Sequence, residues 1–345
     1  MRTVAAQDLF HSLNALVHGE NTFPSDQEFA RFRLAFDLSL NRAWRSEWWP
    51  DLMRTQKRYF RAAWASGTTY AKLDERYDAA SQQYYQSLRN SNTGNAPTSS
   101  GVENSAYWAL CKSNYSGPDW VTATVYAVGA IIFYPTTGYY YQCHTAHTSS
   151  GTLIPTATGG NERWGQLTEF DRYVSLTQTG ETEIGDVMDC RTANPKTHPN
   201  DSRALVWDNS ENGIQILENA IYAWVMFRLK RPRLLGDVFS TTATYAVDDQ
   251  VYFASTTVRG NFYNCITATS AAESPSSASA KWSVVSIPEQ FATGLIYAAQ
   301  AKCLTGDDKA MVPQAIGLAE EELELEADVI YRQQSRTPSR GVVTY

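Results

Sequence analysis

The spacing of hydrophobic positions changes along this chain, and each period predicts a different element. In "MRTVAAQDLFHSLNALVHGE", Leu9, Leu13, Leu16 and Val17 fall on one side of a helix. In "FPSDQEFARFRLAFDLSLNRAW", Phe29, Phe32, Phe36, Leu40 and Ala43 repeat at helical spacing behind a Ser25–Glu28 capping box. "WWP" then opens what reads as a further helix from about Asp51 to Ala65. Between 171 and 238 the period shortens: "YVSLTQTGETEIGDVMDCR", "ALVWDNSENGIQIL" and "AIYAWVMFRLKRP" read as strands. Asn212-Gly213 is a hairpin signal, and Ile221, Ala223, Val225, Phe227 and Leu229 alternate on one strand face before Pro232 ends it. Helical spacing returns after Pro288, which opens "PEQFATGLIYAAQAKCL". A last helix carries the stripe Val312, Ile316, Ala319, Leu323, Ala327 and Ile330, with Pro313 in its first turn or at a kink. The acidic run from Glu320 through Glu326 is its solvated face.

The intervening segments contain a threefold repeat. Each copy opens on Tyr-Ala, at Tyr70, Tyr126 and Tyr245, then runs through a turn, a short strand and a second aromatic strand. A polar loop built around one proline follows: "NAPT", "LIPT" and "ESPS". Each copy closes on a tryptophan, with Trp108, Trp164 and Trp282 standing 38, 38 and 37 residues after the opening tyrosine. Cys143 and Cys265 occupy one repeat position, where the first copy has Ser87, so that position reads as a small strand site and not as half of a redox pair. Units of this size are expected to be small antiparallel β-modules that take most of their buried area from tryptophan and tyrosine.

Removing the repeats divides the chain into an N-terminal helical part (1–63), module 1 (64–115), module 2 (116–170) and an antiparallel β-domain (171–238). Module 3 (239–286), C-terminal helices (287–332) and a flexible tail (333–345) complete it. The expected fold class is α+β: a helical scaffold with a small antiparallel β-domain and three inserted all-β modules.

Composition narrows the function classes. The 345 residues are 43% hydrophobic and 19% charged, with a net charge of -7, which argues against broad nucleic-acid binding. The sequence holds neither a membrane-length apolar run nor a secretory leader. Five scattered cysteines without a CxxC indicate neither a disulfide framework nor a zinc site, and fit a reducing cytoplasm.

Motifs for phosphate loops, serine hydrolases and zinc proteases are absent. His144 and His147 form an HxxH without an adjoining carboxylate cluster, which reads as structural. Glu181, Glu183, Asp186 and Asp189 lack the apolar pocket that would make one of them a general acid. The expectation is a protein that is not an enzyme and takes no metal and no cofactor.

Two resemblances follow from these residues. The pattern Tyr-Ala-x-x-Asp-x-Val-Tyr, aromatic strand, proline loop and tryptophan, clearest in "YAVDDQVYF…FYNCITATSAAESPSSASAKWSVV", resembles small chitin-binding-type carbohydrate-binding modules. That resemblance implies that Tyr85, Tyr141 and Phe262 or Tyr263 stack on sugars, while Tyr70, Trp108, Tyr126, Trp164, Tyr245 and Trp282 form the module cores. The paired-tryptophan motif of many chitin binders is missing, and the other reading is that the modules are spacers or decorations packed on a neighbouring subunit.

The remainder carries "TGETEIGDVMDCRTANPKTHPN…NGIQIL…AWVMFRLKRPRL" and "PEQF…IYAAQAKCLTGDDKA…AIGLAEEELELEAD". In element order it is similar to phage head-to-tail connector (adaptor) proteins. The resemblance implies a virion subunit, made in the host cytoplasm, whose partners are itself in a ring, the portal, a neck or tail protein, and surface glycans through the modules. Membrane insertion and sequence-specific nucleic-acid binding are not expected. The basic tail with Arg332, Arg336, Arg340 and Tyr345 would dock on the portal. A glycan-binding adhesin or another tail-associated protein is the alternative.

Overall fold

The computed structural model describes residues 2–20, 22–47, 49–178, 181–304 and 306–333. It is an α+β fold with several small antiparallel sheets and, among the described residues, no closed barrel. The helices are α1 (Ala6–His18), α2 (Asp26–Ser46), the short α3 (Thr158–Asn161), α4 (Ala292–Cys303) and α5 (Val312–Gln333). The chain forms two compact units: Arg54–Leu229 is one, and the residues before and after that stretch make the other. The β-domain therefore shares a unit with modules 1 and 2, and module 3 shares one with the helices.

In the helical unit, α1, α2 and α5 pack around α4. Ala6, Leu9, Phe10 and Leu13 of α1 are buried, whereas Leu16, expected on that face, is exposed. On α2 the expected Phe29, Phe32, Phe36, Leu40 and Ala43 are all buried. Ser25 is the N-cap residue of α2, but its hydroxyl donates to the Glu28 carboxylate and caps no backbone N–H, so the expected capping box does not form. Asp37, buried mid-helix, accepts from Arg231 Nη1 at 2.8 Å and from the Leu234 N–H at 2.9 Å, so the stretch around Pro232 is fastened to α2 by a charged contact. Gly294 lets α4 and α5 approach closely, since a Cβ there would stand 2.9 Å from Leu323 Cγ. Pro313 is the second residue of α5, where its missing N–H costs no helical bond. Pro288 pairs with Thr3 in a two-residue ladder, and α4 begins only after a 3-10 turn at Glu289–Phe291.

The helix expected over 51–65 does not form. Pro50 starts a single 3-10 turn, and Met53–Tyr59 is a strand beside Tyr222–Leu229 in a three-stranded sheet with Ile184–Arg191. Sheet pairing overrides helical spacing here, and Thr55 and Tyr59 suit a half-buried pleat. The strand face expected over 221–229 is present: Ala223, Val225 and Phe227 are fully buried. The hairpin at residues 210–213 also forms, with Ser210 opposite Gly213, so that Glu211 and Asn212 are its central pair.

Candidate functional site

Each module is built on one set of interactions repeated at equivalent residues. The opening tyrosine hydroxyl closes a corner five residues upstream: Tyr70 bonds the N–H and C=O of Ala65, Tyr126 those of Val121, and Tyr245 those of Ser240. Its ring meets the closing tryptophan edge to face, at 5.4, 5.1 and 5.4 Å for Tyr70–Trp108, Tyr126–Trp164 and Tyr245–Trp282. The indole N–H of each tryptophan then donates to the carbonyl two residues before the loop proline. Trp108 reaches Asn95 at 2.8 Å, Trp164 reaches Leu153 at 3.2 Å, and Trp282 reaches Glu273 at 3.0 Å. Pro97, Pro155 and Pro275 are all buried, so the loop is part of the module interior.

The Ser/Cys position lies directly across the ladder from each tryptophan: Ser87 from Trp108, Cys143 from Trp164 and Cys265 from Trp282. Ser87 Oγ donates to the Arg89 carbonyl, Cys143 Sγ to that of Thr145, and Cys265 Sγ to that of Thr267. A small side chain with one donor is what the site requires. Burial pushes the Cys143 and Cys265 thiols up, away from the thiolate that reactivity needs. Three residues after each opening tyrosine the chain takes a left-handed conformation, at Leu73 (φ 76°), Gly129 (φ 90°) and Asp248 (φ 74°).

Of the six aromatics expected in the module cores, Tyr70, Trp108, Tyr126, Trp164 and Trp282 are buried, and Tyr245 is half-buried against Phe239 and Trp282. The expected sugar platform requires correction. Tyr85 and Tyr141 are only 5% and 4% exposed and pack into the cores with Tyr70–Trp108 and Tyr126–Trp164. Phe262 is 1% exposed, against Phe10 and Phe29, and Tyr263 is half-buried in the core of module 3. The buried rings of Tyr85, Tyr141 and Phe262 have no open face left to stack on a sugar, whereas Tyr263 keeps part of its surface exposed.

The physical reason is that both faces of the second aromatic strand are occupied. One face carries Tyr85, Tyr141 and Tyr263 into the module core, and the other docks the module onto its own unit. Tyr84 stacks on Phe170 at 4.8 Å and its hydroxyl donates to the Ile221 carbonyl of the β-domain. In module 2, Tyr140 packs on Tyr115, and in module 3 Tyr252 and Phe262 pack on Phe10 and Phe29.

A fourth repeat aromatic, six residues before each opening tyrosine, escaped the sequence reading: Trp64, Trp120 and Phe239. Aligning upstream of Tyr-Ala would have revealed it. Each sits beside a short parallel pairing, centred on Ala63–Tyr77, Asp119–Phe133 and Val238–Tyr252.

Three of the four candidate carboxylates and both histidines make local contacts. Glu181 pairs with the buried Arg58 at 3.2 Å, Asp186 with Arg228 at 3.5 Å and Asp189 with Arg191 at 2.7 Å, so these carboxylates act as counter-ions. His147 packs on Trp164, with Nδ1 at 2.9 Å from the Thr145 carbonyl, and His144 contacts Arg89. Among the described residues no group of three or more His, Cys, Asp or Glu could hold a metal ion, and no helix is long and apolar enough to cross a membrane. Arg332 lies in the last turn of α5, while Arg336, Arg340 and Tyr345 fall outside the described residues.

The helical unit also exposes apolar side chains in pairs at i, i+4. Leu34 and Leu38 on α2 are 51% and 49% exposed, and Leu325 and Val329 on α5 are 55% and 45% exposed. Each pair forms a stripe along its helix that no described residue covers. A scan against protein-family models finds no match to the chain, and a search of curated proteins finds no relative.

Proposed function

We propose that this chain is a structural subunit of a bacteriophage virion: a head-to-tail connector of the adaptor kind that assembles as a ring and docks on the portal. The observation that carries this reading is the pair of uncovered apolar stripes, Leu34–Leu38 on α2 and Leu325–Val329 on α5. A ring closes through heterologous contacts, so every subunit needs two different sticky faces, and these stripes supply two on different helices. The element order also supports the reading: an N-terminal helix pair, a β-domain whose last strand leads into Arg231-Pro232, and a C-terminal helix pair. The basic residues Arg332, Arg336 and Arg340, with Tyr345, are the segment assigned to the portal. The modules, most of whose repeat aromatics are spent on their own cores and docking faces, act as spacers and outward decorations.

Assembly tests the proposal. Purified chain mixed with its portal should form closed rings in negative-stain electron microscopy, and Leu34→Glu/Leu38→Glu should remain monomeric with an unchanged circular-dichroism spectrum. A wild-type chain that stays monomeric with the portal, or a double variant that still closes rings, would overturn it.

A further inference from the structure

Modules 1 and 2 lie against each other along a seam. Gln86 Nε2 donates to the Gln166 carbonyl at 2.6 Å, and Gln142 Nε2 to the Trp108 carbonyl at 3.3 Å. Leu88 packs so tightly on Gly165 that a Cβ there would come within 2.5 Å of it. At this seam opens a cleft of about 690 Å3, lined by Lys72, Leu88, Arg89, Asn90, His144, Thr145 and Glu162. That volume falls in the range of small-molecule sites, roughly 300–1,000 Å3.

The internal repeat supplies a control for what the fold itself needs. Lys72, Arg89 and His144 stand at positions where module 3 has Val247, Thr267 and Ile266. Module 3 builds the same tyrosine corner, tryptophan hydrogen bond and ladder without any of these polar side chains. The seam has thus acquired two cations that module architecture does not require.

These cations line the cleft without a carboxylate partner among the described residues. Lys72 Nζ makes one long bond, 3.4 Å, to the Trp164 carbonyl, and burial alone pushes its ammonium pKa down. The Arg89 guanidinium lies 4.7 Å over the Tyr107 ring and reaches His144 Nδ1 at 2.8 Å and Thr145 Oγ1 at 3.3 Å, which fixes its orientation. Around them stand a hydroxyl, an amide and the exposed Glu162 carboxylate, a mixture of donors and acceptors suited to sugar hydroxyls. An inorganic ion would engage the cations and leave the rest of the cleft unused.

We propose that this cleft binds an acidic sugar, a pyranose whose carboxylate or phosphate group meets Lys72 and Arg89 while its hydroxyls meet Asn90, Thr145 and Glu162. The proposal is independent of ring assembly and uses no stacking aromatic.

Titration calorimetry on the full chain with glucuronic acid, glucose 6-phosphate, glucose and inorganic phosphate tests it. At least one acidic sugar should bind, and which of the two does identifies the anionic group. Glucose and phosphate should bind at least about tenfold more weakly, as expected when a charge-assisted contact or the hydroxyl contacts are lost. Lys72→Val, which installs the residue of module 3, should weaken the acidic sugar by at least about tenfold at an unchanged melting temperature. Arg89→Thr should act likewise; if it loosens the seam, Lys72→Val decides. Failure of both acidic sugars to bind, equal binding of glucose or phosphate, or undiminished binding by Lys72→Val would each overturn the proposal.

Discussion

Trp108 Nε1 donates to the carbonyl oxygen of Asn95 at 2.8 Å, and this bond ties the closing strand of module 1 to its proline loop. The same bond recurs in the other two modules, so replacing the tryptophan separates its ring from its donor. Trp108→Phe should destabilise the chain by about 1–2 kcal/mol, because a carbonyl loses its partner. Trp108→Ala should cost about 3–5 kcal/mol through the cavity it leaves. Urea denaturation followed by circular dichroism resolves the two values.

Trp64 and Trp120 should behave differently. Their indole Nε1 atoms are buried without a hydrogen-bond partner, and module 3 uses Phe239 at the same position. Removing an unsatisfied donor relieves its desolvation, so Trp64→Phe and Trp120→Phe should be neutral or stabilising, within about 1 kcal/mol. A loss above that in the same denaturation assay would mean that the equivalence with Phe239 is not energetic.

Leu73 adopts φ 76° where module 2 has glycine, and its side chain is exposed, so little packing depends on it. An L-residue in this region is strained by about 1–2 kcal/mol, partly offset by the chain entropy that glycine adds to the unfolded state. Leu73→Gly should therefore raise stability by about 0.5–1 kcal/mol, and Gly129→Leu should lower it by about 1–2 kcal/mol. Paired thermal melts of the two variants should shift in opposite directions.

Asp78 predicts an acid-sensitive module 1. Burial raises its pKa, but hydrogen bonds from the Thr98 and Ser81 hydroxyls and from the Ser81 and Ala80 N–H groups outweigh that, and the carboxyl lies below its ordinary value. A depressed carboxylate pKa stabilises the fold fully above the unfolded value, about 3.9, and this contribution is lost as pH falls through the folded value. Asp78→Asn should be less stable at neutral pH and should show a shallower loss of stability below about pH 4. Identical pH profiles for wild type and variant would remove Asp78 from the acid limb.

The repeat could be read from sequence because its spacing follows from geometry: a tyrosine corner, a ladder partner and an indole donor leave little freedom in length. The helices of residues 6–46 and 292–333 were legible for a similar reason, since their buried faces recur at helical period. What sequence could not supply was the destination of each strand face. Tyr84 and Tyr85 are adjacent and chemically identical, yet one docks on the β-domain and the other fills the module core, leaving neither for a ligand. The strand Met53–Tyr59 is not legible locally, because its partner, Tyr222–Leu229, lies far away in sequence. In sequence Lys72 and Arg89 look like ordinary surface charges, and only the juxtaposition of the two modules makes them a cleft.

The place in a virion proposed for this chain is tested most directly by electron microscopy of purified virions carrying a gold-labelled copy of it. The account predicts label confined to a ring at the neck, between the capsid vertex and the tail. Label on the capsid, at the distal end of the tail, or absent from the particles would contradict it.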